Sequence, residues 1–244
     1  MQALGPFYEK KLTCLYCNKD FTTLRVRSRA SVPYKIDSDF CPHYRAGSHN
    51  PHFYYVNVCP ECGFAFSEEF SSHFPPGSKE ILRVKIVIPW GKREQKDFCH
   101  TRDLQQAIDS YKLAIYAGSL KQEKHAALAG LCLRLAWIYR TENNPEQEQR
   151  FTALALKEYE DSYLYSDFNG TSMSEMKVLF IIGELSRRLG DYAKAIAHFA
   201  KVIDHPNRND EIKMVNMARE QWVITVEQHR EQRKNNPNGN KPSS

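Results

Sequence analysis

Nowhere in the chain do eighteen apolar residues run together, so no segment reads as a transmembrane helix. Met1 to Lys11 lacks the apolar stretch of a secretory signal. The two absences make a cytoplasmic protein with no membrane contact the expectation. Cysteine is sparse: seven in 244 residues is too few, and an odd number, for a disulfide scaffold. No nucleophile motif and no phosphate-binding glycine loop is present, so the sequence points to no enzyme and to no small-molecule substrate. Concentrated positive charge is also lacking. The net charge of +5 divides into +4 over residues 1–100, −2 over 101–229 and +3 over 230–244. Nucleic-acid binders usually gather such charge on one face. With 41% hydrophobic and 26% charged residues, the composition is that of a globular chain.

What is there begins with two sulfur pairs, Cys14-Leu-Tyr-Cys17 and Cys59-Pro-Glu-Cys62. A two-residue spacer lets one tight turn present both sulfurs to one ion. Backbone N–H groups must also point at the sulfurs to spread their charge. That needs a residue tolerant of positive φ after the second Cys. Asn18 and Gly63 stand at those places. Cys14, Cys17, Cys59 and Cys62 therefore predict one structural Zn²⁺, its four positions filled by thiolates. A redox dithiol of thioredoxin type would need a βαβ setting, which the flanking residues do not supply. The small N-terminal core gives the metal its purpose, because some 60 residues bury little apolar surface by themselves.

Thr22 to Arg29 alternates, Leu24 and Val26 falling between Arg25, Arg27 and Arg29, and predicts a half-buried strand with a basic outer face. His52 to Val58, rich in aromatic residues and Val, predicts a second strand. Pro33, Pro42, Gly47 and Pro51 break the stretch between them into loops. The apolar run Ile81 to Ile88 fits either a strand or a helix. From Thr101 the period becomes helical: Asp103 and Gln106 form a capping box, and Leu104, Ala107, Ile108, Tyr111, Ala114 and Ile115 share one face. Further helices are predicted near 123–141, 146–165, 173–189, 192–204 and 211–229. After residue 230 the chain is polar and predicts a disordered tail. The resulting plan is a zinc-ribbon-like domain over residues 1–75, a connector over 76–100, a helical domain over 101–230 and a tail over 231–244. Because the helical faces can pair with each other, residues 101–230 are expected to fold without the ribbon.

Gly183, Gly190, Asp191, Tyr192, Ala195, Phe199 and Val202 have tetratricopeptide spacing. An earlier copy reads Leu135, Ala136, Tyr139, Asn143 and Ala155, with Glu148 where a small residue belongs. Ala107, Tyr111 and Ala114 match only the second helix of a third copy. Ala136 and Gly183 lie 47 residues apart, more than the standard period of about 34, so helices or loops are lengthened. The alternative is a plain helical bundle. The fold class is thus mainly α, with a small β zinc ribbon and C-terminal tetratricopeptide-like repeats.

This order of motifs resembles an uncharacterised bacterial family, a domain of unknown function that joins an N-terminal zinc ribbon to tetratricopeptide-like helices. The likeness rests on Lys11 to Cys17, Asp37-Ser-Asp-Phe-Cys41-Pro42, Val58 to Gly63, Ala107 to Ala114, Ala129 to Tyr139 and Ile182 to Gly190. It implies zinc binding and a fold, and no activity. Three functions follow as expectations. The first is a non-enzymatic adaptor that binds a protein partner, with Tyr111, Tyr139 and Arg140 near its groove. The second is a nucleic-acid-binding ribbon that uses Arg25, Arg27 and Arg29. The third is a thiol sensor or second metal site drawn from Cys41, His43, Cys99 and His100. His49 and His52 share the loop with Cys41 and His43 and belong to that candidate cluster or to ordinary loop packing, and Cys132, on the apolar face with Leu128, Leu131 and Leu135, reads as core.

Overall fold

Each sulfur pair lies in the turn of a β-hairpin. A computed structural model describes residues 5–45, 47–92 and 96–235. Strand β1 (Phe7–Thr13) pairs antiparallel with β2 (Asp20–Val26), Thr13 opposite Asp20, and the first Cys pair fills the turn. Strand β5 (Asn57–Val58) pairs with β6 (Ala65–Phe66), Val58 opposite Ala65, around the second. Between them, β3 (Lys35–Ile36) and β4 (Pro42–His43) close a short loop that holds Cys41.

Three expectations change here. The predicted strand begins two residues earlier and stops at Val26, and Ser28–Ala30 turns as a 3₁₀ helix. Alternation places Phe21, Thr23 and Arg25 on one side of β2, and Phe21 and Thr23 are buried. Arg25 therefore points inward, away from the expected basic face. His52 to Val58 is mostly not strand: Asn50 accepts a hydrogen bond from the His52 N–H, and Pro51 opens a 3₁₀ turn to Tyr54. The partner strand β1 was missed because Lys10 and Lys11 interrupt its alternation.

The undecided run is helical. Helix α1 (Ser78–Leu82) continues through a π turn, Arg83–Val87, into α2 (Ile88–Trp90). Pro89 lacks an N–H, and its ring would strike the carbonyl four residues back in a regular helix. The wider π turn accommodates that clash. Leu82 and Ile86 face the ribbon, and Ile81, Val84 and Ile88 face solvent.

Helix α3 (Leu104–Lys121) starts at the predicted capping box, with Asp103 accepting from the Gln106 N–H and the Gln106 side chain accepting from the Asp103 N–H. Helices α4 (His125–Thr141), α5 (Pro145–Tyr165), α6 (Glu175–Arg188), α7 (Tyr192–Ile203) and α8 (Ile212–Asn235) follow. The last helix continues five residues past the expected start of the tail, and residues 236–244 lie outside the described residues. Short turns join α4 to α5 and α6 to α7, so consecutive helices fold back on each other. At Gly183 an added Cβ would lie 2.9 Å from the Phe199 ring, so α6 and α7 cross at the small-residue contact that the repeat spacing implies.

One apolar cluster contains Cys14, Val58, Phe64 and Leu82 together with Ile108, Tyr111, Leu135 and Phe151. A cut between residues 75 and 101 would pass through this core. A separate cluster, including Phe180, Phe199, Val202 and Met214, holds α6, α7 and α8 together. Buried Arg102 bridges ribbon and helices, donating to the carbonyls of Phe53 (3.0 Å), Val56 (2.8 Å) and Phe98 (2.8 Å).

Candidate metal centre and helical cleft

The four sulfurs meet where the two hairpin turns face each other. Cys14 Sγ lies 3.6 Å from Cys62 Sγ, and Cys17 Sγ lies 3.7 Å from Cys59 Sγ. A disulfide would need about 2.05 Å. A tetrahedron with metal–sulfur bonds of about 2.3 Å has edges of about 3.8 Å. The set therefore fits a zinc ribbon and can hold one metal ion.

The chain builds this geometry twice. The Asn18 N–H donates to the Cys14 carbonyl at 3.0 Å, and the Gly63 N–H donates to the Cys59 carbonyl at 2.9 Å. Both residues take positive φ, 59° at Asn18 and 71° at Gly63, as expected. The Tyr16 and Cys17 backbones hydrogen-bond to the Cys14 sulfur, and those of Glu61 and Cys62 to the Cys59 sulfur. Without a cation these sulfurs must share protons. Hydrogen bonds from Cys14 and Cys62 lower the Cys59 thiol, and the bond to Cys59 raises that of Cys14. A metal ion at the centre would let all four ionise. Trp90 covers the second turn: its Nε1 donates to the Pro60 carbonyl at 2.9 Å, and its ring occupies the space beside Gly63 where a Cβ would stand.

The other residues named from sequence lie elsewhere. Cys41 is fully buried in the loop between β3 and β4, and burial pushes its thiol up to about 12. Cys41, His43 and Asp37 place their ligating atoms within 4.8 Å of one another. The Asp37 carboxylate is already shared by His43 (2.8 Å), Lys35 (2.9 Å) and Arg140 (3.1 Å), so a guanidinium stands where a cation would bind. Cys99 and His100 do not join this cluster. Cys99 Sγ sits 4.0 Å from the Val58 carbonyl, and exposed His100 pairs with Asp97. His125, Glu158 and Asp161 form a further cluster of candidate ligands that the sequence spacing did not suggest.

Arg25 hydrogen-bonds to the Tyr54 carbonyl, to Asn57 at 2.7 Å and to Glu68 at 3.2 Å. The Arg27 guanidinium lies over the Tyr8 ring, and Arg29 is in the 3₁₀ turn after β2. Tyr111 is fully buried and donates its hydroxyl to the His52 carbonyl, and Tyr139 is buried against Phe151. Neither tyrosine lines a groove. Arg140 is a clasp: it reaches Asp37 and Glu148 and binds both oxygens of Asp39, at 3.0 and 2.7 Å. Asp39, fully buried, also accepts from Trp137 at 3.1 Å and pairs with Arg188 at 3.2 Å. Burial pulls the Asp39 carboxyl upward, but these donors and charges overcome it and hold it below its ordinary value. The clasp explains Glu148, the residue that breaks the repeat pattern.

A cleft of about 710 Å³ opens between the end of α5, the loop after it, α6 and α7. Tyr163, Leu164, Met173 and Ile182 give it apolar surface, and Glu160, Glu175, His198 and Lys201 give it charged and polar groups. Sequence patterning did not name it, because its residues come from three helices and a loop.

No helix among the described residues is long and apolar enough to cross a membrane. No curated protein and no solved structure matches the chain. A family profile described as uncharacterized protein conserved in bacteria matches residues 7–225, which takes in the ribbon, the connector and the helices as far as the middle of α8. The chain belongs to that bacterial family, DUF2225.

Proposed function

We propose that the four-cysteine site holds one structural zinc ion and that the chain is a cytoplasmic, non-enzymatic adaptor whose helical part binds a segment of a partner protein. Four thiolates occupy all the positions of tetrahedral zinc, so the ion has none left for water or substrate. The observation that carries the reading is the cleft between α5, α6 and α7. Repeat-like helix pairs bury one face against their neighbours and leave another lining a groove. Here that groove offers Tyr163, Leu164 and Met173 to apolar side chains, with Lys201 and Glu175 beside them for charged ones.

The other two readings receive less support. Arg25, central to a nucleic-acid surface, spends its donors inside the ribbon. The Cys41 thiol is buried and raised, the opposite of a reactive cysteine. The test is crosslinking in cells followed by mass spectrometry, with wild type, Leu164→Glu, Lys201→Glu and Arg27→Glu. A discrete protein recovered with wild type and Arg27→Glu, and lost with the two cleft variants, is the expected result. Recovery of nucleic acid alone, lost with Arg27→Glu, would overturn the adaptor reading.

A further inference from the structure

A second, smaller cavity lies one turn earlier on α5, next to Met173, which also lines the cleft. It measures about 80 Å³ and is lined by Glu69 from the end of the ribbon, Lys124, Gly130 and Arg134 from the start and middle of α4, Tyr159 from α5, and Thr171 and Ser172 from the loop before α6. Water takes up about 30 Å³ per molecule in the liquid. The space holds two or three waters, or one small molecule of a few heavy atoms.

Its polar lining is unusual in what it leaves unpaired. Arg134 carries five N–H donors. One nitrogen, Nη1, donates to the Gly130 carbonyl at 2.9 Å, and the guanidinium lies over the Tyr55 ring with its carbon 4.1 Å from the centroid. Among the described residues no carboxylate comes within ion-pairing distance of it. The side chain is half-buried and none of its nitrogens is both enclosed and unpartnered, so its remaining N–H groups stay open to water or to a ligand. The second unpaired group is Tyr159. It is 5% exposed, lines the cavity, and its hydroxyl has no hydrogen-bond partner among the described residues. The hydroxyl oxygen itself is not enclosed, so it is open to water or to a ligand in the cavity.

Gly130 creates the opening. A Cβ there would lie 2.9 Å from Arg134 Nη1 and 3.6 Å from Glu69 Oε2, so the missing side chain leaves a gap between guanidinium and carboxylate. The Glu69 carboxylate is engaged by the hydroxyl of Tyr55, whose ring Arg134 covers. Arg134 and Lys124 against Glu69 leave one net positive charge around the cavity.

We propose that this cavity is a binding site for a small carboxylate, its two oxygens taken by the free edge of the Arg134 guanidinium and by the Tyr159 hydroxyl, with Thr171 and Ser172 closing the mouth. A planar fork suits a carboxylate's two oxygens. The cavity has room for a compound of acetate or glycine size. In glycine the ammonium would face Glu69, which acetate cannot use. The site shares Met173 with the partner cleft, but its polar groups are its own and do not depend on the partner reading.

The experiment titrates purified zinc-loaded protein with sodium acetate, glycine or sodium chloride at constant ionic strength, and reads the amide spectrum by NMR together with the melting temperature. Acetate or glycine is expected to saturate, with half-effect at or below about 10 mM, and to shift amides of Gly130, Arg134 and Thr171. Chloride is expected to do neither. Arg134→Gln should weaken the response at least about tenfold, the loss of a charge-assisted pair. Gly130→Ala keeps every charged group but fills the gap, and should weaken it similarly while the helix remains intact by circular dichroism. Tenfold preference for glycine over acetate would make the ligand a zwitterion, and the reverse a simple acid; both retain the site. Indistinguishable responses to acetate, glycine and chloride would overturn the proposal. So would an undiminished response in both folded variants.

Discussion

Gly63→Ala tests whether the connector helix and the second sulfur turn form one unit. At φ 71° an alanine pays about 1 kcal/mol for left-handed backbone. Its Cβ would also lie 2.4–2.6 Å from three atoms of the Trp90 ring, where carbon atoms normally stay about 3.5–4.0 Å apart. The ring must move by about an ångström, and its Nε1 bond to the Pro60 carbonyl, 2.9 Å long, goes with it. Losing that bond from a half-buried donor costs about 1–2 kcal/mol. The total expected is about 2–4 kcal/mol. Gly77 supplies the control. It has φ 80° and nothing within 4 Å of an added Cβ, so Gly77→Ala should cost only about 1 kcal/mol. Urea unfolding followed by circular dichroism at fixed free zinc measures both. In a Trp90→Ala background the cost of Gly63→Ala should fall to that of Gly77→Ala. Equal costs in the wild-type background, or an undiminished Gly63 cost without the indole, would refute the reasoning.

Three further outcomes are expected. Freshly purified protein should contain one equivalent of zinc, and Cys59→Ser should lose it together with much of the roughly 10 kcal/mol a structural site contributes; wild-type protein with neither zinc nor iron by elemental analysis would remove the metal reading. Asp39→Asn should cost at least about 3 kcal/mol in urea unfolding, because Arg140 and Arg188 then lose the buried countercharge they share; a change below 1 kcal/mol would show that the clasp is not needed. His52 sits with its Nε2 buried and unpartnered, and burial lowers its ring to about 3 from an ordinary 6.5. The unfolded chain therefore binds the proton first, so stability should fall as pH drops below about 6.5, by about 1 kcal/mol between pH 7 and 5.5, and His52→Phe should flatten that slope in melts of the zinc-loaded protein.

The sulfur turns were legible because their chemistry is local: two sulfurs, a two-residue spacer, and Asn18 or Gly63 for the positive φ are all read within five residues. Helices α3 to α7 were legible from their apolar period, and α3 also from its Asp103–Gln106 capping box. What escaped was set by distant partners. Arg25 looked like a surface charge, and faces inward because Asn57 and the Tyr54 carbonyl, about thirty residues away, receive it. Tyr111 looked equally suited to a groove or a core, and the ribbon that covers it lies before it in sequence. Glu148 looked like a defect in a repeat, and is the partner of an arginine that also binds Asp37 and Asp39. No periodicity within a helix carries information of that kind.

The trace of a third repeat in α3 gains a physical meaning from the same packing. Ala107, Tyr111 and Ala114 follow the pattern of a second helix, yet no first helix precedes them. A terminal element of a repeat stack needs a cover over its apolar face. Val58, Phe64, Phe66 and Leu82, in the same buried cluster as Tyr111 and Ala114, supply it. The ribbon thus covers α3 where a first helix would stand, and a metal bound by its four sulfurs would hold α3 as well. Helices α6, α7 and α8 have a cluster of their own, built on Phe180, Phe199 and Met214. Removing the metal should therefore loosen the chain unevenly. Hydrogen exchange read by mass spectrometry before and after chelation is expected to show amides of α3 losing protection together with the ribbon, while those of α6 and α7 keep most of theirs. Uniform loss along the chain would mean that the clasp at Asp39 transmits the damage and the whole chain is one cooperative unit. Unchanged protection in α3 would mean that the ribbon does not cap it.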